Sequence, residues 1–245
     1  MDYEIAQASL RGDRENNQDR LAWLEADGGV LLVLADGMGG HPRGELAAEI
    51  AVRTLTAAYR AAPRPLPDPG AFLCAAFERA HAEIVAAGRR ERPPVDPHTT
   101  CVAAVVEGGR AHWAHVGDSR LYWIRAGGGA EHTRDHNAAE DLYREGAIDA
   151  AARRTHPLRH VVTRALGGAG PGPVQAGGGV ALASGDLLVL CSDGLLVLPQ
   201  ERLLAGLRAA APLQAGIDAL AHAAVAAAHP RSDNVSILAL GARRA

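Results

Sequence analysis

The chain has 245 residues, 48% apolar and 22% charged, which suits one globular domain with a large core. A formal net charge of −3, no basic block and 4% aromatic residues exclude a nucleic-acid footprint. All 25 residues of the Lys+Arg count are arginine, which excludes Walker A nucleotide binders, protein kinases and Schiff-base enzymes.

Read in chain order, the first strand falls near Ile5–Leu10. A hairpin follows through Leu21–Glu25 and Val30–Ala35, turned by Ala26-Asp27-Gly28-Gly29. Apolar residues at helical spacing (Leu46, Ala47, Ile50, Ala51, Leu55) predict a helix over Arg43–Tyr59. Prolines at 63, 65, 67 and 69 separate it from a second helix over Gly70–Ala87. Strands are predicted at Thr99–Glu107, Ala111–Val116 and Leu121–Arg125. The stretch His132–Gly172 has weak periodicity and much charge, and reads as an inserted lobe or flap. Strands resume at Val180–Leu182 and Leu187–Cys191, then helices at Gln200–Ala209 and Leu213–His229, then a strand at Val235–Leu240. Strands in groups and helices in pairs predict an α+β sandwich, with helix pairs covering antiparallel sheets.

Cys74, Cys101 and Cys191, an odd count at irregular spacing, read as reduced core thiols of a cytoplasmic protein. The polar amino-terminal stretch has no signal-peptide pattern, and the longest apolar run is broken by Asp218 and His222, so no membrane span is expected.

Acids recur at the ends of apolar strands. Val30-Leu-Leu-Val-Leu-Ala-Asp36-Gly37 and Leu187-Leu-Val-Leu-Cys-Ser-Asp193-Gly194 are nearly the same phrase. Val116-Gly-Asp118-Ser119 closes another strand, and Ser232-Asp233-Asn234 opens the last. One Asp-Gly pair is an ordinary turn. Several acids at the mouths of apolar strands form a set that repels itself unless a cation sits between them. An oxygen-only set suits Mg²⁺ or Mn²⁺ rather than Zn²⁺, and the Gly37 carbonyl is available as a further ligand. Arg14 and Asp19, in Gly12-Asp-Arg14-Glu-Asn-Asn-Gln-Asp19-Arg20, add a fork for phosphate oxygens and another carboxylate. Together these point to phosphate-ester hydrolysis. No Cys-based motif competes, because Arg79 stands one position short of the spacing from Cys74; aspartyl-phosphate and serine-elbow motifs are also missing from the sequence.

Six motifs stand in order: Arg14-x-x-Asn17-Gln-Asp19, Ala35-Asp36-Gly37-Met-Gly-Gly-His41-x-x-Gly44-Glu45, Ala114-His-Val-Gly-Asp118-Ser119-Arg120, Thr163-Arg-Ala-Leu-Gly167, Cys191-Ser-Asp193-Gly194-Leu195 and Ser232-Asp233-Asn234-Val235. The set resembles the bacterial metal-dependent protein phosphatases of the PPM, or type 2C, family, over almost the whole chain. The resemblance implies a single catalytic domain folded as a four-layer α-β-β-α sandwich, with a flap at about 134–166. It implies two Mn²⁺ or Mg²⁺ ions held by Asp36, the Gly37 carbonyl, Asp193 and Asp233, with Asp19 in or just outside the ligand shell. Asp118 with Asp193 matches a third-ion site, and Arg14 matches the phosphate-binding arginine.

Implied too is hydrolysis of phosphoserine and phosphothreonine by a metal-activated water, with Asp36, Asp193 and Asp233 as catalytic residues. The implied partners are phosphorylated proteins and a cognate Ser/Thr kinase or its substrates, with neither nucleic acid nor membrane. Two departures stand out: Gln18 replaces a common Glu, and Met38 follows the Asp-Gly pair where animal members carry a general-acid His. His41 is close in sequence, and the acid role stays open. A silent binding module would lack metal-site acids, all of which are present here; a phosphatase of small phosphomonoesters is the other alternative. The pairs His132/His136 and His156/His160, at zinc-like spacing, read as surface or flap histidines.

Overall fold

The computed structural model describes residues 2–38, 43–168, 170 and 174–243. Ten strands form two five-stranded antiparallel sheets. In chain order they are β1 (Asp2–Leu10), β2 (Asp19–Ala26), β3 (Gly29–Asp36), β4 (Cys101–Glu107), β5 (Arg110–Val116), β6 (Arg120–Ile124), β7 (Ala130–His132), β8 (Gln175–Ala181), β9 (Leu187–Cys191) and β10 (Val235–Arg243). One sheet runs β1-β10-β9-β6-β7 and the other β2-β3-β4-β5-β8. The long helices are α1 (Gly44–Ala61), α2 (Pro69–Arg90), α5 (Gln200–Ala209) and α6 (Leu213–Ala228), with short α3 (Ala138–Arg144) and α4 (Ala150–Thr155) between β7 and β8.

The unbroken apolar runs in β3 and β9 follow from burial on both faces. Along β3, Leu31, Val33 and Ala35 pack beneath α1 and α2 with Leu55, Phe77 and Ile84. The alternate residues Val30, Leu32 and Leu34 meet Leu188, Leu190, Leu238 and Leu240 of the other sheet. On the far side, Val189 and Cys191 pack with Leu203, Ile217 and Leu220 of α5 and α6. Three apolar layers thus separate four structural layers, α-β-β-α, as expected from the sequence. Among the described residues no helix is long and apolar enough to cross a membrane.

Several local expectations need correction. The stretch predicted as an unpatterned lobe contains α3 and α4, capped by Asn137, whose Oδ1 accepts from Glu140 N at 2.9 Å, and by Asp149. Strand β8 begins five residues before the predicted Val180, because its Gly177-Gly178-Gly179 run shows no alternation. Cys74 is only half-buried, whereas Cys101 and Cys191 are buried as expected. Of the histidines read as surface or flap residues, His136 lies in the 134–166 segment but not at the surface: it is 3% exposed and its ring stacks on His115 at 4.7 Å. The partner ring, His115, has its Nε2 2.7 Å from the Arg134 carbonyl.

Candidate metal centre

Asp19 and Asp36 face each other in register, one opening β2 and the other ending β3. The Asp36 carbonyl is held by Thr100 N at 2.9 Å and by Thr99 Oγ1 at 2.8 Å, so the start of β4 fixes the acid's backbone. A Cβ on Gly37 would stand 2.4 Å from the Gly44 carbonyl oxygen, so only glycine lets the loop after β3 lie against the first turn of α1.

The other sheet supplies Asp193, after β9, and Asp233, before β10, on strands that pair directly. A Cβ on Gly194 would lie 2.1 Å from the Asn234 carbonyl oxygen, which explains why glycine follows Asp193. Asp118 occupies the connection between β5 and β6 and joins from the sheet crossing. A direct tie links the two sheets here: Ser192 Oγ donates to Asp19 Oδ2 at 2.8 Å and accepts from Ser236 N at 2.9 Å.

Charge confirms the convergence. Burial, and then the neighbouring Asp19, Asp193, Asp118 and Asp233, push the Asp36 carboxyl well above the usual range. Asp118 is raised by burial, then by Asp193 and Asp135. Asp193 is pushed up to about 6 by burial, then by Asp233 and Asp19. Asp19 is raised chiefly by burial, and its Oδ1 is buried with no hydrogen-bond partner. An orphaned carboxylate oxygen inside a self-repelling set of oxygen ligands fits a hard divalent cation. Among the described residues no three His, Cys, Asp or Glu side chains close around one point, so ions here would complete their shells with water and backbone oxygen, as Mg²⁺ commonly does.

Arg14 stands at the rim, its Nη2 donating to Asp233 Oδ2 at 2.6 Å. Gln18 is turned toward α1: its Nε2 donates to Glu45 Oε2 at 3.3 Å, while its backbone N donates to Asn234 Oδ1 at 2.8 Å. A glutamate at 18 would face Glu45 with like charge. His41 lies outside the described residues.

The histidine pairs do not form zinc sites. His132 lies in β7, and His136 accepts from Gly117 N at 3.2 Å while its other nitrogen lies 3.1 Å from Gln175 Oε1. His156 caps a 3₁₀ turn over Pro157–His160. Sequence reasoning did not single out Thr99, Ser192 or Asn234 as supports. It also missed Asp135, which takes Arg120 in a two-pronged pair at 2.7 and 2.8 Å beside Asp118. Asn234 could have been found from its place next to Asp233; Thr99 and Asp135 carry no local signal.

Comparison with known proteins places this site in a family. The family model for protein phosphatase 2C matches residues 6–229. The chain is 33% identical over 191 residues to the serine/threonine phosphatase Stp of Listeria monocytogenes, covering 77% of this chain and 75% of that one. The crystal structure of the Mycobacterium tuberculosis serine/threonine phosphatase PstP superposes with a TM-score of 0.87 at 30% identity, covering 99% of each chain. The catalytic domain of PstP in complex with two manganese ions superposes with a TM-score of 0.82 at 30% identity, again over 99% of each chain. With its fold and nearly its whole length matched, this chain belongs to the protein phosphatase 2C family.

Proposed function

We propose that the chain is a Mn²⁺- or Mg²⁺-dependent protein phosphatase hydrolysing phosphoserine and phosphothreonine. The observation that carries this reading is the meeting of Asp19, Asp36, Asp118, Asp193 and Asp233 from both sheets, with Arg14 at their rim. The serine/threonine phosphatase names of its relatives and the two manganese ions of the PstP complex support it.

In this reading Asp36, the Gly37 carbonyl, Asp193 and Asp233 hold two ions, Asp19 lies in or beside their shell, and Asp118 with Asp193 offers a third position. When bound, such ions polarise phosphoryl oxygens and lower the pKa of water. The chain's own part is placement. Thr99 and Thr100 fix the Asp36 backbone, and Ser192 orients Asp19. Arg14 offers its guanidinium to the phosphate oxygens, already aimed by Asp233.

The whole chain acts as one catalytic domain, with residues 134–166 as a flap over the substrate. Polypeptide substrates are favoured over small phosphomonoesters by exposed apolar side chains: Val197 lines the cavity at the metal end, and Tyr143, Leu158 and Val161 are exposed on the 134–166 segment. A cytoplasmic setting, signalling with a cognate Ser/Thr kinase, and that kinase's substrates as targets complete the proposal. The test is chelator-treated protein on a phosphothreonine peptide, with metals restored singly. Turnover should return with Mn²⁺ or Mg²⁺; full turnover without metal, or a strict need for zinc, overturns the reading.

A further inference from the structure

A cavity of about 740 Å³ extends from Asp118, Asp193 and Asp233 into the space between the 134–166 segment and the rim formed by residues 193–200. Its acids other than those at the metal end are already matched. Asp135 holds Arg120, and buried Glu140 takes Arg153 at 2.7 Å and Arg134 at 3.4 Å. Three further cations line the same cavity: Arg154 at the end of α4, Arg159 in the following 3₁₀ turn, and Arg231 just ahead of Asp233. All three are exposed, and among the described residues none makes an ion pair.

One unpaired arginine is an ordinary solvated side chain. Three, two from the 134–166 segment and one from the loop ahead of Asp233, lining one groove that ends at a phosphate-ester site, make a local excess of positive charge that repels itself and favours an anionic occupant. The occupant must also suit Val197, an exposed apolar side chain in the cavity wall, and Leu158, exposed beside Arg159. A peptide with acidic side chains meets both requirements.

Resting on the phosphatase reading, we propose that this groove selects phosphoprotein segments carrying further negative charge beside the scissile phosphate, either carboxylates or a second phosphate. Arg154, Arg159 and Arg231 are the specificity residues. They act by binding the flanks of the substrate and take no part in bond cleavage.

The experiment compares phosphothreonine peptides of one length with Ala, Glu or Arg flanks, and one with a second phosphothreonine, on the manganese-loaded protein at low salt. Contacts between exposed charges are individually weak, so kcat/KM should rise roughly three- to tenfold from Ala to Glu flanks and fall for Arg flanks. The preference should fade as salt shortens the screening length. A rise with Glu flanks identifies carboxylate as sufficient; a rise confined to the doubly phosphorylated peptide identifies phosphate as the recognised group.

The double variant Arg154→Glu/Arg159→Glu should lose or invert the preference and keep the wild-type rate on p-nitrophenyl phosphate, too small to reach the groove. An unchanged preference in that variant overturns the proposal. So do equal rates on all peptides, which leave the phosphatase reading standing. If no peptide is hydrolysed at all, both readings fall together.

Discussion

Arg14 and Asp233 hold each other at 2.6 Å across 219 residues of sequence, and each is also claimed by something else. In the proposed site the arginine would serve phosphate and the carboxylate a metal ion. Arg14→Ala should therefore lower kcat/KM about tenfold to a hundredfold, mostly through KM, as expected for a lost charge-assisted pair. Mn²⁺ affinity should hold or rise, because the substitution frees a carboxylate and removes no ligand. Steady-state kinetics with calorimetric Mn²⁺ titration checks both halves, and unchanged kcat/KM would return Arg14 to the solvent-exposed surface.

Asp36→Asn and Asp193→Asn should behave oppositely, losing on the order of 10²-fold or more in kcat with the fold intact, since an amide cannot balance clustered cations. Circular dichroism and kinetics on the same samples distinguish this from unfolding. These acids were legible because each ends or opens an apolar run. Supports such as Ser192 and Thr99 were not, because Ser192 meets Asp19, and Thr99 meets the Asp36 carbonyl, only after distant parts of the chain have come together.

The 134–166 segment shows why elements are read unevenly. Helices α3 and α4 have seven and six residues, too short for an apolar stripe to repeat, so only their Asn137 and Asp149 caps mark them. Strands buried on both faces, such as β3 and β9, were read to within a residue or two at each end. The same segment is anchored by His136, whose ring joins the backbone of Gly117 to Gln175 of β8 and stacks on His115.

Burial, and then the neighbouring His115, push His136 down to about 4. The unfolded chain, with an ordinary value near ~6.5, takes up the proton first. Stability from the neutral ring is therefore present above about pH 6.5 and lost as pH falls toward the folded value. Thermal melts between pH 7 and 4.5 should show Tm falling more steeply in wild type than in His136→Phe. The variant should also be a few degrees less stable at neutral pH, because Gly117 N loses its acceptor. Parallel slopes would remove His136 from this role.

Across the whole molecule, the candidate metal centre lies at a junction between sheets whose order sequence periodicity could not supply. An unbroken apolar run shows that a strand has two buried faces, but it is silent on β1 pairing with β10, or on β8 closing the edge beside β5. The family resemblance, resting on ordered motifs, implied the four-layer sandwich; the strand order came only with the structure.

Because the acids come from both sheets, their repulsion acts on the sandwich as a unit, and ion binding should clasp it. The sign follows from the raised carboxyls. In the metal-free fold Asp193 titrates near about 6, and Asp36 and Asp118 are also raised, while the unfolded chain titrates near ~4. The contribution of Asp193 to stability is thus full below about pH 4 and is lost as pH rises through about 6, and those of Asp36 and Asp118 are lost in the same direction as pH rises through their own raised values. Manganese reverses this at neutral pH by pairing with ionised carboxylates, and it competes with protons at acid pH.

At a free ion concentration near 100 times Kd, binding adds about 2.7 kcal/mol, which for a chain of this size is roughly 5–10 °C in Tm. Calorimetric scans with chelator and with Mn²⁺ should give that gain at pH 7.5 and a clearly smaller one at pH 5. Asp36→Asn should shrink the gain at pH 7.5 while raising the metal-free Tm, because one repelling charge is gone. Equal gains at both pH values, or an undiminished gain in Asp36→Asn, would separate these acids from the ions and leave their convergence without a function.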